Sequence, residues 1–306
     1  MTPPTIAAYP DQDNWQARIV ENLYPVLGDD RSTGSLVFGL QQAIEGYGRH
    51  EVIIDHRQHG IALHEMSEAH LFLLFGAYRE RMAQLYANDA RLRYVLVFKN
   101  FGPAAGASIA HTHSQIIAMP VVPQNVYDEV MHSRQHYHKH HQCIFCSLID
   151  EALTFEATIY DRASGQIRRR INVGQYVVER GERFIAIKPF ASRYEWEVHI
   201  LPLAHQSDHL AITEHDRQDL ARVVKRTMAR LDAVIGGAQY NFFLHSKPRG
   251  DDFADCDASY HWHLEICPRT SIPTGFELGS GLFVSTTSPE EAAERLRSVD
   301  LDTPEA

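Results

Sequence analysis

The sequence repeats itself, and the repeat constrains the fold more than any other feature. The stretch Glu51-Val-Ile-Ile-Asp-His-Arg-Gln-His59 returns in outline as Glu197-Val-His-Ile-Leu-Pro-Leu-Ala-His205. Self-similarity of this kind marks two copies of one supersecondary unit. Each stretch reads as a strand ending in histidine. An amphipathic helix follows each, with apolar positions Leu71, Leu74, Phe75, Tyr78, Met82 and Leu85 in the first copy and Leu220, Val223, Val224, Met228, Leu231 and Val234 in the second. Thr213 with Asp216 supplies a start signal for the second helix. A β-rich run comes next, Tyr94-Val-Leu-Val-Phe98 or Tyr240-Asn-Phe-Phe-Leu244, and then a loop leading to His111-Thr-His113 or His261-Trp-His263. His59 lies 52 residues before His111, and His205 lies 56 before His261.

Strands joined by one helix and several short hairpins predict an α+β fold with mostly antiparallel sheets and flanking helices. The two units divide at residues 135 and 136, within a histidine-rich stretch, His132 to His141, that reads as a surface linker or exposed helix. A last helix is announced by Ser288-Pro-Glu-Glu291, an N-cap serine with proline at the first helical position. At 306 residues and 44% hydrophobic, the chain has ample material for a core, which excludes disordered, collagenous and disulfide-scaffold classes. Its 39 acidic against 29 basic residues, net −10, argue against nucleic acid or an anionic membrane as the main partner. The opening lacks the basic-then-apolar pattern of a secretory signal, and no apolar run approaches the ~20 residues of a membrane helix. A cytoplasmic protein is expected.

With 19 histidines in the chain, one His-x-His means little by itself, and its context carries the chemistry. That context is Asn100-Phe-Gly102-Pro-Ala-Ala-Gly106-Ala-Ser108-Ile-Ala-His111-Thr-His113-Ser-Gln115. Two glycines and Ser108 form a loop whose backbone N–H groups and hydroxyl can surround a phosphate. His111, His113 and Gln115 are expected to alternate onto one face of the following strand. Neutral imidazole is a competent nucleophile near pH 7 when its other nitrogen is held as a donor, which makes His113 the candidate nucleophile for nucleotidyl transfer. Gln115 can donate to a phosphoryl oxygen but cannot act as a general acid. The pair therefore favours transfer to a sugar phosphate over hydrolysis.

The pattern Asn-x-Gly-x3-Gly-x-Ser-x2-His-x-His-x-Gln at Asn100 to Gln115 resembles the active-site segment of the galactose-1-phosphate uridylyltransferase family, within the histidine-triad superfamily. Arg18-Ile-Val-Glu-Asn22-Leu-Tyr-Pro25 resembles its nucleoside-contacting segment. Tyr240 to Ser246, His261-Trp-His263, Gly275-Phe-Glu277-Leu-Gly-Ser-Gly281 and Glu290 to Arg297 resemble its second half. The resemblance implies two tandem histidine-triad-like domains, 1–135 with the catalytic His-x-His-x-Gln and 136–306 with a metal site and a hexose-contacting segment. It implies a double displacement in which His113 takes UMP from UDP-glucose and passes it to galactose 1-phosphate. Ser108 and Gln115 would contact phosphate, Asn22 and Asn100 the nucleotide region, and Glu277 the hexose hydroxyls. Relatives form dimers with the site near the interface, so a homodimer acting on a nucleotide sugar and a sugar phosphate is implied.

Two alternatives stay open. One is another nucleotidyl enzyme of the same fold, an ADP-glucose or dinucleoside-polyphosphate phosphorylase, since spacing does not reveal the base. Where some uridylyltransferases have a lysine, this chain has Ser271-Ile-Pro-Thr274. The other is a non-catalytic, metal-stabilised nucleotide-binding module.

Cys143-Ile-Phe-Cys146 points to a metal, and His205 with His261 from the same copy complete a Cys2His2 set suited to zinc. A rival set is Glu129, His245, His261 and His263, where some uridylyltransferases bind metal. In the first copy His59 and His111 stand where metal-binding relatives place two ligands, with two more from a Cys-x-x-Cys upstream of Thr-Pro-Pro. This sequence opens with Met1-Thr-Pro-Pro, so those thiols lie further upstream or the site has lost them. Cys256 and Cys267 read as structural.

Overall fold

In the computed structural model residues 3–302 are described, so Met1 and Thr2 of the opening Thr-Pro-Pro motif lie outside the described residues. The first half runs through β1 (Thr5–Tyr9), β2 (Ala17–Glu21), a hairpin of β3 (Ser35–Phe38) and β4 (Gln41–Ile44), β5 (Arg49–Ile54), α1 (Glu68–Asn88), β6 (Tyr94–Phe101), β7 (His113–Met119) and α2 (Gln124–His140). The second runs through α3 (Ile144–Thr154), a hairpin of β8 (Ala157–Tyr160) and β9 (Ile167–Ile171), β10 (Val177–Arg180), β11 (Phe184–Ile187), β12 (Val198–Pro202) and α4 (Glu214–Ile235). It ends with β13 (Tyr240–His245), α5 (Cys256–Ser259), β14 (His263–Pro268), α6 (Gly275–Ser280) and α7 (Pro289–Arg297).

Ten strands form one antiparallel sheet in the order β1-β2-β5-β7-β6-β13-β14-β12-β11-β10. Read inward from either edge, the order is the same, and the two copies meet where β6 pairs with β13, Phe98 opposite Phe243. The α+β class holds, with the tandem units joined edge to edge through this seam. The division at residues 135 and 136 falls inside α2.

The sheet register corrects the alignment of the repeat. Ile53 lies opposite Ser114 and Val52 opposite Gln115, while Ile200 lies opposite Leu264 and His199 opposite Glu265. With His113 matched to His263, Glu197 takes the place of His50 rather than that of Glu51. Side chains alternate along a strand, so a one-residue slip exchanges the faces. Glu51 points toward α1 and pairs with Arg81 at 2.6 Å, whereas Glu197 lies on the other face and accepts from the backbone N–H of Arg193 at 2.7 Å.

The helices begin where the side chains predict. Ser67 caps α1 by accepting from the His70 N–H, Thr213 and Asp216 form the capping box of α4, and Ser288 caps α7 ahead of Pro289. The apolar rows of α1 and α4 pack on one face of the sheet in a single cluster with Ile19, Ile53, Val97, Val198, Phe242 and Leu264. Burying each of these large side chains contributes roughly 2 kcal/mol. The opposite face is covered in part, by α2 and α5 through Val126, Val130, Cys256 and Tyr260 against Tyr94, and by α3 through Phe145 and Ile149 against Ile185 and Leu201. The site residues lie on this second face. Among the described residues, no helix is long and apolar enough to cross a membrane.

Candidate active site

β7 begins at His113. Ile116 and Ala118 on that strand enter the helix-side core, so alternation sends His113 and Gln115 to the other face. His111 sits in the loop before the strand, so the expected row of three is a row of two. The carbonyl of His111 nevertheless has a task there. His113 Nδ1 lies 2.8 Å from it, and a carbonyl only accepts, so Nδ1 carries the proton and Nε2 keeps its lone pair. A held tautomer with a free Nε2 is what nucleophilic attack at phosphorus requires.

A fully buried ion pair fixes the backbone beneath. Lys99 Nζ donates to Asp55 Oδ2 at 2.7 Å, to Thr112 Oγ1 at 2.9 Å and to the His113 carbonyl at 2.9 Å. Ser114 Oγ donates to the same carboxylate oxygen at 3.0 Å, and the Tyr78 hydroxyl meets Ser114 at 2.6 Å. Every polar end of the pair has a partner, the condition under which a buried pair is tolerated.

The loop before His113 borders a cavity of about 360 Å³, lined by Asn100 to Pro103 and Ala107 to His113. Gly102 and Gly106 adopt φ of 85° and 81°, and a Cβ on Gly102 would lie 2.5 Å from the Gln239 side chain. Their turn uses its own N–H groups: those of Ala105, Gly106 and Ala107 bond carbonyls within it, and that of Ala104 donates to Gln239 Oε1. The N–H groups of the glycine turn, expected to face a phosphate, are therefore already occupied. Among the described residues, the N–H groups of Ser108, Ile109 and Ala110 meet no protein acceptor, and these residues line the cavity. Asn100 joins them from the seam, where Asn241 of the second copy donates to its Oδ1 at 2.7 Å; among the described residues its NH2 meets no acceptor.

Gln115 does not stand alone. Its Oε1 lies 2.8 Å from His50 Nε2, and Asn22 Nδ2 lies 3.0 and 3.3 Å from the two ring nitrogens of the same histidine. The Val26 backbone N–H donates to His50 Nδ1 at 3.2 Å. Asn22 and Gln115 are thus brought together through a residue the sequence analysis missed. The signal was present, since strict alternation from Gln115 and Val52 puts His50 on the site face, but the slipped repeat alignment concealed it. Lys99 and Asp55 were missed as well, being charged residues inside otherwise apolar strands.

Glu277 is not brought to the cavity. It is exposed on α6, where its carboxylate accepts from the Thr274 N–H and hydroxyl, and the Thr274 N–H holds it below the usual carboxylate range.

The Cys143, Cys146, His205 and His261 side chains converge, their ligand atoms all within 4.8 Å of one another. Cys146 Sγ lies 3.4 Å from His205 Nδ1 and 3.6 Å from His261 Nδ1. His205 Nε2 donates to the Asp257 carbonyl and His261 Nε2 to the Pro202 carbonyl, which leaves both Nδ1 lone pairs aimed inward. The hydrogen bond from Cys146 holds the Cys143 thiol far below its ordinary range. The donor set suits a tetrahedral divalent ion. Glu129, His245 and His263 form a separate group. His261 belongs with the cysteines, so the rival four-residue set loses that member. Burial pulls His263 down, but Glu129 and Glu265 raise it to about 9.

His59 Nδ1 and His111 Nδ1 face each other at 3.0 Å, and His111 Nε2 donates to the His56 carbonyl, the arrangement of the second copy without its thiols. Among the described residues, no further His, Cys, Asp or Glu completes a ligand group with them. Cys256 and Cys267 are buried and unpaired, and the histidines of the His132 to His141 stretch lie along α2 and at its end.

Residues 29–123 match the family model for the N-terminal domain of galactose-1-phosphate uridyl transferase. The chain is 29% identical over 302 residues to an ADP-glucose phosphorylase of Arabidopsis thaliana, covering 97% of this chain and 79% of that one. It is 26% identical to the galactose-1-phosphate uridylyltransferase of Thermotoga maritima, covering 84% and 76% of the two chains. A crystal structure of an ADP-glucose phosphorylase from Arabidopsis thaliana with bound ADP-glucose superposes with a TM-score of 0.83 at 28% identity, covering 98% of this chain and 86% of that one.

Proposed function

We propose that this chain is an enzyme of the galactose-1-phosphate uridylyltransferase family and exchanges UMP between UDP-glucose and galactose 1-phosphate through a covalent uridylyl-histidine, a reading supported by the family-model match and the uridylyltransferase relatives. The observation that carries the reading is the held tautomer of His113, with Nδ1 on the His111 carbonyl and Nε2 free. In the first step the Nε2 lone pair forms a bond to the α-phosphorus, and the bond to the departing oxygen of glucose 1-phosphate breaks. That leaving group is a phosphate and needs no proton, which fits the amide at Gln115. In the second step a phosphate oxygen of galactose 1-phosphate attacks the same phosphorus and the P–N bond breaks, returning neutral His113. The Ser108 hydroxyl, the free N–H groups of Ser108 to Ala110 and the Gln115 amide would meet the charge on the phosphoryl oxygens, with Asn22 and Asn100 toward the nucleotide.

Cys143, Cys146, His205 and His261 would hold zinc in a structural role, tying the start of α3 to the loop after β12 and the approach to β14. A second copy would supply Glu277 to the hexose. The exposure of Leu40 at 102%, Val37 at 72%, Ile272 at 86% and Leu278 at 77% supports apolar surface awaiting a partner.

The second reading moves AMP from ADP-glucose, and what favours it is the likeness to the Arabidopsis ADP-glucose phosphorylase over nearly the whole chain. Incubation with UDP-glucose or ADP-glucose followed by intact-mass measurement separates them. A UMP-sized gain that His113→Ala abolishes supports the first reading, and an AMP-sized gain the second. No gain with either, in metal-replete protein, favours a non-catalytic nucleotide-binding module.

A further inference from the structure

The Gln115 amide has a donor end and an acceptor end, and only the donor end can help a phosphoryl group. Something must therefore hold it one way round. His50 lies two residues from Val52, the cross-strand partner of Gln115, and so is its diagonal neighbour on the same face. The Val26 backbone N–H can only donate, and it lies 3.2 Å from His50 Nδ1. The Asn22 NH2 also only donates, and it lies 3.3 Å from Nδ1 and 3.0 Å from Nε2. With both donors assigned to Nδ1, that nitrogen is unprotonated and Nε2 carries the hydrogen, 2.8 Å from Gln115 Oε1. The second copy provides the contrast. It keeps the oriented histidine, His263 Nδ1 donating to the His261 carbonyl at 3.0 Å, but has Glu197 and Glu265 in the places of His50 and Gln115. Both are acceptors, bridged by Arg193, and no amide is presented there.

We infer that His50 is a positioning residue for the transfer: its Nε2–H holds Gln115 Oε1 and so turns the Gln115 NH2 toward the phosphate bound at His113. The inference rests on the reading of His113 as nucleophile. It assigns the segment from Asn22 to Val26 a part in catalysis beyond touching the nucleotide, because Val26 sets the His50 tautomer.

The test measures the single-turnover rate of UMP-adduct formation from UDP-glucose by quenched-flow mass spectrometry. His50→Leu is expected to slow the adduct by roughly tenfold to a hundredfold, within the cost of losing one preorganised donor. His50→Gln, whose side chain can accept from Val26 and donate to Gln115, is expected to restore most of the rate. In a Gln115→Ala background, His50→Leu is expected to change the rate by less than about twofold, since the two act as one unit. An undiminished rate in His50→Leu, or an equal loss in both backgrounds, would overturn the inference. The ¹⁵N shifts of the His50 ring give an answer independent of turnover: an Nε2–H tautomer is expected, and an Nδ1–H tautomer refutes the device. Absence of any adduct in the wild type would instead overturn the reading of His113, with the tautomer still deciding the His50 contact.

Discussion

Replacing Lys99 by Met removes the ammonium at the centre of the buried network and leaves a group of similar length. Three hydrogen bonds at 2.7, 2.9 and 2.9 Å disappear, and the Asp55 carboxylate, fully buried, keeps only the Ser114 and Tyr78 hydroxyls. Removing one partner of a buried pair strands the other charge, which costs about 3–5 kcal/mol. For a chain of this size that lowers the melting temperature by roughly 6–10 °C at about 2 °C per kcal/mol. The His113 carbonyl also loses its anchor, so adduct formation is expected to slow in protein that remains folded. Urea midpoints measured with tryptophan fluorescence give the stability, and intact-mass time courses give the adduct. Lys99→Met/Asp55→Asn, which neutralises both partners, is expected to lose less than Lys99→Met alone. A loss below about 1 kcal/mol in the single variant, or a double variant worse than the single, would refute the argument that a stranded charge sets the cost.

His209 is fully buried, and burial, with Arg79 and Arg217 adding to it, pushes its pKa down to about 3. The folded state keeps it neutral while the unfolded chain takes a proton below about 6.5, so this group costs no stability above that pH and about 1.4 kcal/mol per pH unit as pH falls from about 6.5 toward about 3. His209→Phe should flatten the urea-midpoint profile between pH 6 and 5 by one proton's worth, and an unchanged slope would count against a buried neutral histidine. Cys143→Ser should reduce zinc by about one equivalent in elemental analysis and lower the thermal midpoint, whereas unchanged metal content would sink the Cys2His2 assignment. Mixed dimers of His113→Ala and Glu277→Ala should recover roughly a quarter of wild-type activity if Glu277 serves its partner's site, and none if it serves its own.

Local rules made much of this molecule legible in the sequence. The rows Leu71 to Leu85 and Leu220 to Leu231 are buried where the 3.6-residue period puts them, and Thr213 and Ser288 cap their helices because capping depends on neighbours in sequence. Pairing of distant strands was beyond such rules. Nothing local tells β6 to choose β13, and matching Glu51 with Glu197 by identity placed one strand a residue out of step. The same limit applied at the site. His113, Gln115 and the loop were readable as one contiguous segment, but His50, Asp55 and Lys99 reach it from other strands. Glu277 was placed by resemblance to a segment that here caps its own helix.

The seam between β6 and β13 has a mechanical consequence. Two lobes with a cleft between them could clamp onto a substrate by rotating about a linker, but here the halves are bonded through a ladder from Tyr240 opposite Phe101 to Leu244 opposite Val97. Helices α1 and α4 pack alongside each other over that ladder, so the two halves share one continuous sheet and one core rather than meeting across a flexible linker. If the proposed transfer holds, access of the substrates would fall to the loop from Gly102 to Thr112 and the segment from Asn22 to Val26, so turnover would be set by small loop movements rather than by lobe opening.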